Sequence, residues 1–458
     1  MIAASFALYL GLIGIIGVLA WRRTRDIADY LLGGRRIGAA VAALSAGASD
    51  MSGWLLLGLP GLAVLMPGTA AWTAAGLLAG TWCNWRFVAR PLREASAALG
   101  ALTVPGYFAA RFPAHGRWLR ALTALTIVAF FLLYTSAGLV AGGKLFNSVF
   151  AIPYAPAVVL GALVIVIYTL FGGFLAVAWT DALQALMMSA ALLAVSVLLW
   201  TSDGAATPLP AAAPAPGPLA ALSALAWGLG YCGQPHILAR FMALADPARA
   251  VVARRIAVSW TALGLVTAVA IGIAGAGLAG VAADPERVFI LAVEAELAPW
   301  LAGGCLAAIL AAIMSTADSQ LLVTAAALAE DLLPLARSPR DAAARLRAGR
   351  LAVAVVAACA VLVALDPRAG VFDLVARAWA GFGATLGPAL LVALYRDDAS
   401  GAGALAGMTA GALVVLGWPW LPHGGFGVYE LLPAFVAACA LNLVVNHYVA
   451  GAHGKRRP

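Results

Sequence analysis

Thirteen long apolar runs, separated by short polar breaks, make up almost the whole chain. They lie roughly at 2–21, 38–62, 68–90, 119–147, 154–173, 181–200, 218–240, 254–280, 299–328, 350–365, 371–394, 401–420 and 428–450. Most reach the ~20 apolar residues that an α-helix needs to cross a bilayer. The runs are continuous and do not alternate apolar with polar, so they predict helices and exclude the strands of a membrane β-barrel. Two runs contain helix breakers: the second, with ALSAGASDMSGWLLLGLPG (43–61), and the seventh, with AWGLGYCGQPHILARF (226–241). They stand five runs apart, the offset expected if the second to sixth helices recur as the seventh to eleventh. Secondary transporters often consist of such inverted repeats, with helices broken at mid-membrane to form the binding site.

Composition fixes the class. The chain is 64% hydrophobic and 10% charged, with mean hydropathy +0.97. Soluble domains carry about 25% charged residues, so this is a polytopic membrane protein, read as a single membrane domain. Lys and Arg concentrate on one set of alternate loops: WRRTR (21–25), RFVARPLRE (86–94), RFPAHGRWLR (111–120), the stretch 239–255, the arginines between 337 and 350, Arg396, and KRR (455–457). The other set holds little beyond Lys144, Arg287, Arg368 and Arg377. The positive-inside rule then predicts an extracytoplasmic N-terminus and a cytoplasmic C-terminus in the plasma (inner) membrane. The net charge of +8 reports topology and calls for no nucleic-acid partner. No obligatory protein partner is evident.

The charges at 22–25 follow the first apolar run instead of preceding it, which favours a retained helix over a signal peptide. Cys83, Cys232, Cys305, Cys359 and Cys439 lack metal-like spacing and read as small packing residues. No GxxxxGK[ST] signature occurs, which argues against an ATP-driven pump. An ion gradient or simple diffusion remains as the driver, and no enzyme activity is expected.

Candidate chemistry sits in the interrupted runs. An Asp at mid-membrane costs roughly 2.5–3.5 kcal/mol on insertion scales, so Asp50 is a functional candidate. Three accounts stand open for it: cation binding, a structural pair with Arg35 or Arg36, and a proton relay with His236. His236 reads more simply as a hydrogen-bonded structural histidine. A desolvated sodium ion needs about five oxygen ligands, which unwound helix and neighbouring hydroxyls commonly supply. ALSAGASDMSGW suits the first role, and Ser315 and Thr316, with Ala312 one turn earlier, suit the second. Trp227, Tyr231, Gln234 and Pro235 lie about one turn apart among glycines and read as lining a cavity for a small solute. Asp181 is either a helix cap or part of an inner gate.

LLGGRRIG (31–38), LSAGASDMSGWLLLGLPG (44–61), FGGFLAVAWTD (171–181), WGLGYCGQPHILARFMA (227–243), ILAAIMST (309–316) and AWAGFGATLGP (378–388) resemble the sodium:solute symporter family, in order and across nearly the whole chain. GASDMSGW and GYxGQPHI are similar to its proline-carrying branch. The resemblance implies an all-α, leucine-transporter-like core of two inverted five-helix repeats, with one extra helix before and two after. The corresponding boundaries are 1–36, 37–217, 218–396 and 397–458. It implies that Na+ is held by the carbonyls of Ala48, Met51 and Ala312 and the hydroxyls of Ser315 and Thr316. It further implies that Asp50 governs sodium affinity and that Ser52 and Gly53 govern solute affinity. Arg35, Ser45, Tyr134 and Asp181 match other residues important for transport, and Trp227, Tyr231 and Pro235 match the substrate side. The expected activity is sodium-driven uptake of L-proline by alternating access, one ion per proline. The alternatives are another small amino acid or carboxylate, or a membrane sensor on the same fold. Ser319 departs from the pattern, since the proline branch carries a cysteine there.

Overall fold

Each apolar run folds as helix in the computed structural model, which describes residues 1–458 apart from 25, 172, 202–214, 334–341, 367, 369, 423–426 and 455–458. The arginines at 337 and 340 and the KRR tail therefore lie outside the described residues. The first half of the chain comprises α1 (Ile2–Trp21), α2 (Ile27–Leu32), α3 (Ala39–Asp50), α4 (Leu59–Leu65), α5 (Pro67–Cys83), α6 (Ala89–Ala98), α7 (Val104–Arg111), α8 (Gly116–Phe150), α9 (Tyr154–Phe171) and α10 (Phe174–Thr201). The second half comprises α11 (Pro218–Leu225), α12 (Pro235–Ala243), α13 (Ala250–Gly275), α14 (Val288–Glu296), α15 (Pro299–Ala326), α16 (Ala342–Ala364), α17 (Val371–Tyr395), α18 (Gly401–Gly417) and α19 (Leu431–Gly454). Among the described residues there is no strand, only a parallel bridge between Ile37 and Leu244.

By length and hydropathy, eight described helices can cross a membrane, or nine when the bent pair α3–α4 counts as one span. Burial sorts them into two layers. In α15, α17 and α8, 83%, 78% and 72% of the apolar window is buried, against 17% in α1 and 22% in α19. The first three form the centre, and α1 and α19 present most of their surface outward, as apolar helices facing lipid do. Cys305 is packed inside, whereas Cys83 and Cys359 are exposed, so packing does not account for those two.

Both interrupted runs break where their sequences predict. Helix α3 stops at Asp50, Met51 leaves helical geometry (φ −81°, ψ 64°), and the chain resumes through a π-helical turn, Trp54–Gly58, bent by 61°. Gly53 is needed at the bend, because a Cβ there would lie 2.8 Å from that of Ala141. In the other run, α11 gives way to a 3-10 stretch, Ala226–Gly233, and then to extended Gln234 (φ −74°, ψ 108°). Pro235 imposes that extension on the residue before it and opens α12. Helix α17 packs directly on this stretch, since a Cβ on Gly230 would meet Trp379 Nε1 at 1.9 Å. The two broken elements also meet at one end of the bundle, where Ile37 N donates to Ala243 O (3.3 Å) and Ala245 N donates to Ile37 O (2.9 Å).

Candidate functional site

An α-helix leaves its last four carbonyls without intrahelical donors, and the end of α3 satisfies its own in a way that builds a site. Met51 N donates to Gly47 O (2.8 Å). Ala48 O instead accepts from α15: Ser315 Oγ lies 2.8 Å away and Thr316 Oγ1 3.3 Å. Ser315 Oγ also reaches Ala312 O, at 3.0 Å. Ala48, Ala312, Ser315 and Thr316, at most 2% exposed, thus place two carbonyl and two hydroxyl oxygens together. Met51, fully buried, occupies the break three residues beyond Ala48. The ligand set is neutral, hard and oxygen-only, which suits a small alkali cation and offers nothing to a soft metal. Among the described residues, no group of three His, Cys, Asp or Glu is placed to hold a metal ion.

Asp50 follows directly. Its backbone carbonyl accepts from Tyr134 OH (2.8 Å), Trp54 Nε1 (3.0 Å) and Ser52 N (2.9 Å), which pins the break in place. Its carboxylate, 1% exposed, accepts from Tyr231 OH at 2.7 Å through Oδ2, and Oδ1 makes no hydrogen bond among the described residues. A cavity of about 10 Å³ beside it is bordered by Thr81 and by Asn84, whose Oδ1 likewise has no hydrogen-bond partner among the described residues.

Two accounts of Asp50 left open by the sequence fail. Arg36 pairs with Asp29. Arg35, held at φ +54°, donates to Ser96 Oγ and to the carbonyls of Met242 (2.7 Å), Ala101 (2.6 Å) and Ser96 (3.1 Å). Burial, and then the nearby Arg93 charge, push the pKa of Arg35 below its usual value. Arg35 therefore serves the connector and does not meet Asp50. Among the described residues His236 makes no hydrogen bond through either ring nitrogen and packs its ring near Phe131 and Tyr134, so it does not bond Asp50 directly and is not the hydrogen-bonded histidine expected.

Residues 30–411 match the sodium:solute symporter family. The chain belongs to that family. It is 43% identical over 465 residues to the osmoregulated proline transporter of Bacillus subtilis (strain 168), covering 97% of this chain and 94% of that protein. It is 44% identical over 453 residues to the sodium/proline symporter of Escherichia coli (strain K12), covering 94% and 90%. A solved Na+-coupled sialic acid symporter, in a substrate-bound outward-open state, has a TM-score of 0.80 at 17% identity over 98% of this chain and 97% of that one. That likeness shows a common fold. Family membership makes the chain a transporter and not an enzyme.

In this symporter Asp181 is not a cap. It is the eighth residue of α10, fully buried, and its Oδ2 accepts from Ser45 Oγ (2.6 Å) and Arg240 Nη2 (3.0 Å). Arg240 is missing from the residues singled out in the sequence, where it counts among the loop charges of 239–255. It is instead fully buried inside α12. A cation within an apolar run is itself a signal, hidden here by the arginines that follow.

Trp227 and Tyr231 lie on the broken helix as expected, but their rings are heavily packed. The Trp227 ring stacks on Tyr429 (5.0 Å) and faces Phe372 (4.9 Å), while its carbonyl accepts from Trp379 Nε1 (2.7 Å). Tyr231 meets Trp379 edge-on at 4.9 Å. Gln234 Nε2 donates to Gly230 O (3.1 Å) and Trp379 O (3.3 Å). Ser52 Oγ accepts weakly from Trp54 N (3.4 Å). Trp54, Trp379, Phe372 and Tyr429 thus pack against the candidate residues, contacts that the sequence hides because aromatics in apolar runs usually pack against lipid or core.

Proposed function

We propose that this symporter uses the inward sodium gradient to drive uptake of L-proline, one ion per proline, by alternating access. The observation that carries the reading is the convergence of Ser315 Oγ and Thr316 Oγ1 on the carbonyl of Ala48 at a helix break. On this reading Na+ takes Ala48, Met51, Ala312, Ser315 and Thr316 as ligands, and the hydroxyls turn their lone pairs to the ion. Asp50 sits two residues from Ala48 and supplies the negative charge that a neutral ligand set lacks. Proline lies against Ser52, Gly53, Tyr134, Trp227, Tyr231, Gln234 and Pro235, and Arg35, Ser45 and Asp181 take part in coupling and gating. Relatives named as proline transporters and sodium/proline symporters, more than 40% identical over nearly the whole chain, support the choice of solute.

The architecture proposed with it has thirteen spans, an inverted pair of five-helix repeats at 37–217 and 218–396, one helix before and two after. The N-terminus is extracytoplasmic, the C-terminus cytoplasmic, and the membrane is the plasma membrane. A cysteine at exposed Ala3 should then react with an impermeant thiol reagent in intact cells; protection would reverse the orientation.

One ion is energetically sufficient. Zwitterionic proline adds no net charge, so each cycle moves one charge, worth roughly 2.3 kcal/mol at 100 mV. A tenfold sodium gradient adds about 1.4 kcal/mol, and the total of about 3.7 kcal/mol permits on the order of 500-fold accumulation. The test is uptake of labelled proline by proteoliposomes holding the purified protein, under a sodium gradient and under a potassium gradient. Uptake only with sodium is the expected result. Uptake of another amino acid but not proline would reject the solute, and no uptake of any solute would favour a sensor.

A further inference from the structure

Arg377 counts in the sequence among the few cations of the outer side, yet it lies in no loop. It is the seventh residue of α17, about 9 Å along the helix from the end proposed above to be extracytoplasmic. A cation at that depth is costly unless it reaches water or an opposite charge. Arg377 is exposed and, among the described residues, donates no hydrogen bond and joins no ion pair. Beside it opens a cavity of about 320 Å³, roughly twice the volume that holds a benzene molecule. Helix α8 lines the cavity with Phe130 and Leu133, and α18 lines it with Val415 and Leu416, while Arg377 and Glu430 supply its charges.

The walls and the charges each narrow the ligand. Leu413, Leu416 and Trp420 are 65%, 60% and 89% exposed, and their spacing puts them on one side of α18. Large apolar side chains exposed on a membrane helix face acyl chains, and an outer tryptophan marks the headgroup level. The cavity therefore opens onto lipid, and its occupant carries a long apolar part. Asp373 stands one turn before Arg377, and the charge of Arg377 acts on both Asp373 and Glu430. Two carboxylates outnumber one guanidinium, so a purely anionic headgroup meets net repulsion. A phosphate joined to a primary ammonium answers both signs: the planar guanidinium takes the phosphate, and a carboxylate accepts from the ammonium.

We propose that this cavity is a site for one phospholipid with a primary-ammonium headgroup, its phosphate on Arg377, its ammonium on Glu430 and an acyl chain along Leu416 and Leu413. The site lies behind the aromatic cluster around Trp227. Glu430 follows Tyr429, whose ring stacks on that of Trp227 and whose hydroxyl donates to Ala376 O (2.6 Å). Arg377 stands two residues before Trp379, whose Nε1 donates to Trp227 O (2.7 Å). A headgroup bridging Arg377 and Glu430 thus braces both partners of Trp227. Lipid binding goes beyond the transport reading and stands without it; its effect on proline affinity rests on that reading.

The test is lipid binding to the purified full chain, read by native mass spectrometry, so it involves no transport. The probes are dioleoyl-phosphatidylethanolamine and dioleoyl-phosphatidylglycerol, and the variants are Arg377→Gln and Glu430→Gln. The native protein should hold one phosphatidylethanolamine at least tenfold more tightly than phosphatidylglycerol. Each variant should weaken phosphatidylethanolamine at least tenfold, and Glu430→Gln should also narrow the preference over phosphatidylglycerol at least threefold. Unchanged binding in the variants, or equal binding of the two lipids by the native protein, overturns the proposal. Displacement of the lipid by free proline overturns it as well, because the cavity would then be a solute site. Arg377 is exposed and Glu430 half-buried, so both variants should fold; if one does not, the other decides. The effect on transport is read separately, as half-saturating proline in phosphatidylethanolamine and in phosphatidylcholine vesicles. It should be at least threefold lower in phosphatidylethanolamine for the native protein and alike in both for Arg377→Gln; an equal lipid dependence in native and variant would refute the link to Trp227.

Discussion

Ser315→Ala removes the hydroxyl that lies 2.8 Å from Ala48 O and 3.0 Å from Ala312 O, and little else. Two consequences of different size follow. In the sodium-free protein the single hydroxyl proton shared between two buried carbonyls is lost, a net cost of about 1 kcal/mol for an ordinary hydrogen bond. Thr316 Oγ1, 3.3 Å from Ala48 O, remains to satisfy one of them. In the sodium-bound protein the loss is an oxygen facing a bare cation, and interactions with charged groups are worth roughly 1.5–3 kcal/mol. That range raises the half-saturating sodium concentration by about 10- to 150-fold, since each 1.4 kcal/mol is a factor of ten. The assay is initial proline uptake by proteoliposomes as a function of external sodium, with thermal unfolding in detergent as the control for folding. A sodium half-saturation within twofold of native, in a variant that is otherwise folded, would refute the ligand assignment. Thr316→Val, from a longer contact, should shift in the same direction by less.

Asp50→Asn preserves shape and can still accept from Tyr231, so the fold should persist, yet sodium half-saturation should rise at least tenfold; normal uptake at low sodium would make Asp50 structural. Tyr231→Phe keeps the ring against Trp379 and deletes the 2.7 Å hydrogen bond to Asp50, so sodium affinity measured without proline should fall about tenfold or more; an unchanged value would confine Tyr231 to the solute. Gly230→Ala would set a Cβ 1.9 Å from Trp379 Nε1, and overpacking of that kind costs typically 1–3 kcal/mol. Its unfolding temperature should drop by several degrees, and an unshifted transition would mean that α17 approaches this stretch less closely than described.

Fold class and the two helix breaks were legible because they are written in local chemistry. Apolar length marks the helices, and Gly47, Gly53, Gly233 and Pro235 mark where two of them fail. The cluster proposed to hold sodium drew attention for a related reason, since adjacent hydroxyls on one apolar helix and small residues on a broken one are both visible in the string. Partnerships across long sequence separations were not. Asp50 and Tyr231 are 181 residues apart, and Arg240 and Ser45 are 195 apart. Proximity in the sequence suggested Arg35 and Arg36 for Asp50, whereas the left-handed turn at Gly33–Arg35 directs Arg35 to the carbonyls of Ser96, Ala101 and Met242. Arg240 was masked by Arg249, Arg254 and Arg255, which made a buried cation look like one more charge of a loop.

Thermodynamic coupling can be read without a rate. Proteoliposomes with the membrane potential clamped at zero are given a tenfold inward sodium gradient and graded internal proline, and the internal concentration at which net proline flux vanishes is measured. One sodium per proline sets that point at tenfold accumulation, because the two gradients then store equal and opposite free energy of about 1.4 kcal/mol. Zero flux at equal proline inside and outside would contradict sodium coupling altogether, and zero flux near a hundredfold would require a second ion that the single cluster at Ala48, Ser315 and Thr316 does not supply.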